Sequence, residues 1–216
     1  MPGMSRSTDA AESRWYALRL AGVFAVLVAI SAYKPHYRAD WLLENGLVLA
    51  ALLPLGLAWR RAALSKAAWT AVFAFLCLHE LGAHYTYSEV PYDAWMQSLT
   101  GYTLNAMLGF QRNHYDRLVH FLYGAFLVVP VRELLVRRTR LKGAWSYVLP
   151  VTLIMSTSVV YELIEWGAAE AFGGDLGMAY LGTQGDEWDG HKDMGLASLG
   201  SALSMIAMGI SARQRR

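Results

Sequence analysis

Four short stretches hold most of the residues that could do chemistry: "HELGAH" (79–84), "NHYDRLVH" (113–120), "YELIEW" (161–166) and "QGDEWDGHKDM" (184–194). Imidazole combined with carboxylate is the donor set of zinc, manganese or iron, and carboxylates alone suit magnesium. Carboxyls that crowd one another also keep one member available as a general acid or base. Arg112 and Arg117 lie among these acids and could hold the anionic group of a substrate.

The spacings sharpen this. "HELGAH" is one residue too long for the zinc-protease pattern His-Glu-x-x-His. On a regular helix His79 and His84 point about 140° apart and cannot share an ion in that manner. Glu80 and His84, at i and i+4, can. Glu162 and Glu165 share a helix face with Ser158 and Tyr161, and Asp116 and His120 are an i, i+4 pair with Gly124 one turn on. Asp186, Asp189 and Asp193 form one stripe if their helix begins at Asp186. Ala197, Gly200 and Ser204 continue it with small residues that allow close helix packing. Taken singly, each group also has a structural reading: a hydrogen-bonded interior histidine at His79, a salt bridge from Glu162 or Glu165 to Arg117, a solvated helix start at Asp186. Their convergence is what points to a site.

The elements that must position these residues are membrane helices. The chain has 216 residues, 55% of them hydrophobic, with a mean hydropathy of +0.26, which is too apolar for an ordinary soluble domain. Six segments approach the roughly 20 apolar residues needed to cross a bilayer: 15–33, 41–59, 66–87, 117–136, 144–169 and 192–211. None alternates with period two, so an all-α polytopic membrane protein is expected, with residues 1–216 as one domain. The first segment ends in "YKPHY" without a small-x-small cleavage site and reads as a retained helix. The outer segment after the third helix, 88–116, is aromatic and mildly apolar. It is expected to carry a short surface helix that roofs the helix ends. The single cysteine, Cys77, excludes an internal disulfide and thiolate metal sites.

Basic residues predict the orientation. Arg6, Arg14, Arg60, Arg61, Lys66, Arg137, Arg138, Arg140, Lys142, Arg213, Arg215 and Arg216 fall on one side. Only Lys34, Arg38, Arg112, Arg117 and Lys192 fall on the other. Both termini are therefore expected on the cytoplasmic side of the membrane. The acids do the reverse: of 17 Asp and Glu, all but Asp9, Glu12 and Glu133 lie in the outer half or outer loops. Acids do not set topology, and ionisable groups in membrane segments are costly, so their placement points to function.

The sequence contains no phosphate-binding glycine loop, no Gly-x-Ser-x-Gly and no Ser-x-x-Lys. The expected site is a polar pocket on the periplasmic side between helices three to six. Glu80, His84, His120, Glu162, Glu165 and Asp189 are its candidate ligands for a divalent metal (Zn, Mn, Fe or Mg). Asp186 or Asp193 is the candidate base or orienting group, and Arg117 the substrate-anion contact. The expected activity is a metal-dependent hydrolase or transferase on a lipid-linked or envelope substrate. The partners are membrane lipids and a small or lipid-linked molecule, not nucleic acid. The alternatives are a proton- or ion-coupled carrier and a non-enzymatic accessory protein.

The run from His79 to Met194 resembles the YjdF-like bacterial inner-membrane family. The resemblance is carried by "HELGAHYTYSEVPYDAW", "RNHYDRLVHFLYG", "VRELLVRR", "YELIEW" and "LGTQGDEWDGHKDM". "DRLVHFLYGAFL" and "DMGLASLGSAL" are similar to patterns of the VanZ-like family. Both resemblances imply a multi-pass inner-membrane protein, and the second suggests envelope chemistry.

Overall fold

The computed structural model describes residues 3–62, 64–174, 177 and 181–214. Asp175, Arg215 and Arg216, and the side chains of Arg6, Asp9, Arg60 and Arg61, lie outside the described residues. Every regular element among the described residues is helical. The order is α1 (Gly3–Ser31), α2 (Arg38–Ala62), α3 (Lys66–Tyr85), a 3-10 turn (Tyr87–Glu89), α4 (Tyr92–Thr100), α5 (Leu104–Leu108), α6 (Tyr115–Thr139), α7 (Trp145–Phe172) and α8 (Asp189–Gln214).

The six long helices α1, α2, α3, α6, α7 and α8 coincide with the six apolar segments. Among the described residues, four stretches are long and apolar enough to cross a membrane: Ala11–Ser31, Tyr115–Thr139, Trp145–Ala171 and Asp189–Gln214. Their outward faces are greasy. Val26 and Ile30 of α1, Val160 and Leu163 of α7, and Ile206 and Ile210 of α8 are all more than half exposed. Water would penalise such continuous apolar stripes, whereas acyl chains accept them. Trp15 and Trp145 mark one end of the bundle and Tyr33, Trp166 and Trp188 the other, as expected of interfacial aromatic belts.

α6 is the central helix. It packs most extensively on α8, then on α3 and α7, and α1 covers the far side of α3. The α6–α8 contact is backbone to backbone. A Cβ on Gly124 would overlap the Ala197 carbonyl oxygen and lie 2.9 Å from the Ser201 nitrogen. A Cβ on Gly200 would overlap the Phe121 carbonyl oxygen, and the Ser204 hydroxyl donates to the Ala125 carbonyl at 2.8 Å. The small stripe read in the sequence thus does what such stripes do in membranes, where close packing replaces the hydrophobic effect between helices.

The two described exceptions to the acid asymmetry have local reasons. Glu133 accepts from the Ser65 backbone N–H (2.8 Å) and hydroxyl (2.5 Å), holding the N-terminus of α3 against α6. Glu12 pairs with Lys66 at 2.9 Å. The segment after α3 is stitched down rather than loose. Asn113 donates to the Val90 carbonyl at 2.8 Å, the Tyr92 hydroxyl donates to Asn105 at 2.7 Å, and Gln184 exchanges two hydrogen bonds with the Asn113 backbone.

Candidate metal centre at the acidic end of the bundle

The N-termini of α6 and α8 meet at this end, and each carries an acid in its first turn, Asp116 and Asp189, where the positive pole of the helix favours a carboxylate. The polar residues there fall into two tiers.

The outer tier is a closed ion-pair network. Arg112 grips Asp189 with both terminal nitrogens, at 2.7 and 3.0 Å, and also donates to the Thr183 carbonyl at 2.8 Å. Arg117 donates to Asp186 and, at 3.0 Å, to Asp189. Lys192 donates to Asp186 at 2.5 Å. The helix begins at Asp189, so Asp186 is not on the α8 stripe. It sits in the preceding turn, where it accepts from the Trp188 N–H at 3.1 Å. This network changes three of the expected roles. Asp189, at 3% exposed, spends both oxygens on arginines and has none free for an ion. Asp186 is neutralised by three cations, Arg117, Lys192 and, at 3.8 Å, Arg112, which makes it a poor base. Arg117 is engaged by carboxylates of its own chain instead of facing a substrate anion.

The Lys192 ammonium, with the Trp188 N–H and the Arg117 guanidinium, holds the Asp186 carboxyl well below the usual carboxylate range. A carboxyl depressed in the folded state stabilises it fully above the unfolded pKa, about 4, and loses that contribution only as pH falls further, through the folded value. The melting-temperature gap between the wild type and Asp186→Asn is therefore expected to stay constant from pH 7 to about pH 5. It should close only below about pH 4. A gap already closing between pH 7 and 5 would contradict the ion-pair assignment.

The inner tier lies one turn deeper. Asp116, His120 and Asp193 each offer a donor atom, all within 4.8 Å of one another. His120 Nε2 is 3.5 Å from Asp116 Oδ1, and its Nδ1 is 3.8 Å from Glu162 Oε1. These gaps are long for hydrogen bonds. The first is close to the separation of two ligands on one tetrahedral ion, about 3.4 Å for bonds of about 2.1 Å. The second places a carboxylate behind the other ring nitrogen, the usual arrangement that orients a metal-binding imidazole. Asp193 is 2% exposed, and its Oδ1 hydrogen-bonds to nothing; neither does Glu162 Oε1. Glu162 lies against the α8 backbone, where only Gly190 leaves room: a Cβ there would stand 2.6 Å from its Oε2. Glu165, three residues on, shares the α7 face with Glu162. Among the described residues no lysine or arginine ion-pairs with Asp116, Glu162, Glu165 or Asp193. Buried carboxylates need compensation, and here it falls to protons or a bound cation.

Of the expected ligands, His120, Glu162 and Glu165 thus meet at the inner tier, joined by Asp116 and by Asp193, which was expected to act as a base. Glu80 and His84 face another way. Glu80 accepts from Ser31 at 2.5 Å and His84 Nδ1 contacts the Ser31 carbonyl at 2.9 Å, so the pair ties α3 to the end of α1. His79 is buried, and its Nδ1 bonds the Tyr87 hydroxyl at 2.5 Å, as a hydrogen-bonded interior histidine does. α2 also brings acids to this end, which none of the four motif stretches contains. Its Asp40 and Glu44 are buried; Asp40 accepts from Thr86 at 2.7 Å and Glu44 from Tyr161 at 3.3 Å. Their i, i+4 spacing at the start of an apolar segment was the available signal.

Beneath the inner tier a cavity of about 560 Å³ runs between α2, α3, α6 and α7, with His120, His79, Tyr87 and Tyr161 among its walls. The centre is thus a buried, open-sided acid group at one end of a helical bundle, with an apolar space below it.

Residues 16–214 match the family described as "Predicted membrane protein (DUF2238)". The chain is 33% identical over 182 residues to the inner membrane protein YjdF of Escherichia coli (strain K12), covering 84% of this chain and 83% of that one. No solved structure matches. These findings concern the YjdF-like resemblance; the VanZ-like one rests on its motifs alone. With its apolar spanning helices and this match over nearly its whole length, the chain belongs to the DUF2238 family of multi-pass membrane proteins.

Proposed function

We propose that the protein is a membrane-embedded, metal-dependent hydrolase or transferase acting on a lipid or lipid-linked envelope substrate. The observation that supports this most is the trio Asp116, His120 and Asp193, whose His120 also lines the cavity. Structural zinc sites are usually closed by four protein ligands, whereas catalytic sites keep a position open. When bound, a divalent ion there supplies Lewis acidity and an activated water. Asp116 and Asp193 would hold it and balance its charge, and Glu162 would orient His120 through Nδ1. The Glu162–Glu165 pair stands beside it as proton acceptor and donor. The outer ion-pair network fixes the α6 and α8 termini that carry the donors, so Arg112 and Arg117 act in positioning.

In this reading all six long helices span the inner membrane, α4 and α5 lie on its periplasmic surface, and both termini are cytoplasmic, as the basic residues predict. α3 contributes the polar end group His79, Glu80 and His84, which makes it less apolar than the four clear spans. A carrier fits less well. Leu64 and Ala68 pack with Val129 and Leu134 into an apolar plug at the basic end, beneath the cavity.

The test is conversion of lipid. Purified protein in nanodiscs of inner-membrane lipid extract is incubated with and without Zn²⁺ or Mn²⁺, and the lipids are resolved by mass spectrometry. Metal-dependent change of one lipid class is expected, and it should be lost in Asp193→Asn. An unchanged lipid profile with the ion loaded would sink the enzyme reading.

A further inference from the structure

The geometry points to a lipid with a single hydrocarbon chain as the occupant of the cavity: its tail lies between α2, α3, α6 and α7, and its polar linkage meets His79 and Ser158. This inference rests on the reading of the site as lipid-directed and names the class of lipid.

The cavity is a slot. Along α6 its wall runs from Val119 to Leu134, fifteen residues apart, which at 1.5 Å each is about 22 Å. Dividing about 560 Å³ by that length leaves a mean cross-section of about 25 Å², the shape of a narrow slot that suits an extended chain. The walls are polarised. His79, Tyr87, His120, Ser158 and Tyr161 gather at the acidic end, while Leu127, Val131 and Leu134 line the other. The far end is stopped by Leu64, 1% exposed.

Two polar atoms in the walls hydrogen-bond to nothing: His79 Nε2, in a residue 4% exposed, and Ser158 Oγ, in one 1% exposed. Helical serines ordinarily bond back to their own backbone, and buried polar groups are almost always paired, so two orphans in one cavity call for a ligand. A carbonyl or hydroxyl joining a lipid's head to its chain would reach them, with the head at the inner-tier carboxylates.

The slot also has a side door. α2 and α7 both line it, but among the described residues α2 packs mainly on α3. Tyr161 reaches Glu44 across the gap at the acidic end. Val160 and Ile164 on the rim are 54% and 40% exposed. A chain could enter sideways from the bilayer without its head leaving the interface.

The test uses the full chain in nanodiscs of phosphatidylethanolamine and phosphatidylglycerol, doped with lysophosphatidylethanolamine carrying a diazirine at its chain end. After illumination, peptide mapping should show saturable label on α6 between Leu127 and Leu134. Label is expected to drop at least tenfold in Leu127→Trp and under excess unlabelled lysophosphatidylethanolamine. Ala50→Phe narrows the slot from α2 should the tryptophan variant fail to fold. Label confined to outward residues such as Leu153 or Leu203, or label unchanged by both blocking variants, overturns the slot. So does equal labelling by a two-chain diazirine phosphatidylethanolamine. Metal content is read in the same samples. Bound ion without slot label overturns this inference and leaves the metal centre standing; slot label without any ion does the opposite.

Discussion

His120→Ala and Asp193→Asn should each abolish the tight binding of one divalent ion that is expected of the wild-type protein in elemental analysis and in titration with Zn²⁺ or Mn²⁺. His120 is the only nitrogen donor of the trio, and Asp193 brings a charge and an oxygen that hydrogen-bonds to nothing. The loss in affinity is expected to exceed about a hundredfold for either, because the remaining two donors no longer surround an ion. Glu162→Gln, behind the imidazole, should cost only about 10–100-fold, the usual effect of an orienting partner. Binding to the folded state alone also stabilises it, by about 2.7 kcal/mol at a hundredfold excess over Kd. The wild type should therefore melt several degrees higher with metal than with chelator, and His120→Ala should show no such difference. Asp193→Asn has a second consequence: it removes one of several mutually repelling acids. It can match or exceed the wild type in stability without metal while failing to bind it, a combination that a purely structural carboxylate would not produce. If the wild type takes up no ion, or if both variants bind as tightly as the wild type, the metal centre is wrong.

Gly124→Ala is expected to be the most damaging single methyl in the molecule. The added carbon would collide with the carbonyl of Ala197 and crowd the nitrogen of Ser201, both backbone atoms of α8 that cannot rotate away. The only relief is separation of α6 from α8. Overpacking of this kind costs about 1–3 kcal/mol, and backbone opposition puts the expected loss near the top of that range. Function should suffer more than stability. Asp116 and His120 ride on α6 and Asp193 on α8, so a shift of even half an ångström opens the trio, and metal affinity should fall with the melting temperature. Gly195→Ala is the control on α8, the helix that Gly124 faces. Nothing stands within 4 Å of its would-be Cβ, so the change should be neutral or stabilising by up to about 1 kcal/mol through helix propensity. Equal melting temperatures for the two variants would show that the α6–α8 contact is looser than described.

Both expectations depend on a division of the acids that sequence could not make. Asp186, Asp189 and Asp193 look alike as an i, i+3, i+7 series. The start of α8 at Asp189 separates them: Asp186 falls in a turn beside Lys192, Asp189 meets two arginines, and only Asp193 reaches the interior. Glu80 and His84 are a sound one-turn pair, but the rotation of α3 aims them at Ser31. Rotation about a helix axis is set by packing against neighbours, here α1 and α6, and a local spacing rule carries no information about it.

The sequence by itself determined the helical class, the places of the long helices and the end of the bundle where ionisable groups collect. These follow from local quantities: apolar run length, the absence of two-residue alternation, and the high cost of stray charge in a bilayer. It also marked Gly124, Ala197, Gly200 and Ser204 as a close-packing seam, because small residues at helical spacing have few other uses in membranes. Only the tertiary structure decided which acids face arginines and which face one another. It brought in Asp40 and Glu44 from a helix that looked plain, and it revealed the slot beneath His120. The physical reason is range. A residue's cost of burial can be read from its own neighbourhood in the chain, but its partner is chosen by how helices turn and pack, and the partner decides whether a carboxylate is a brace or a ligand.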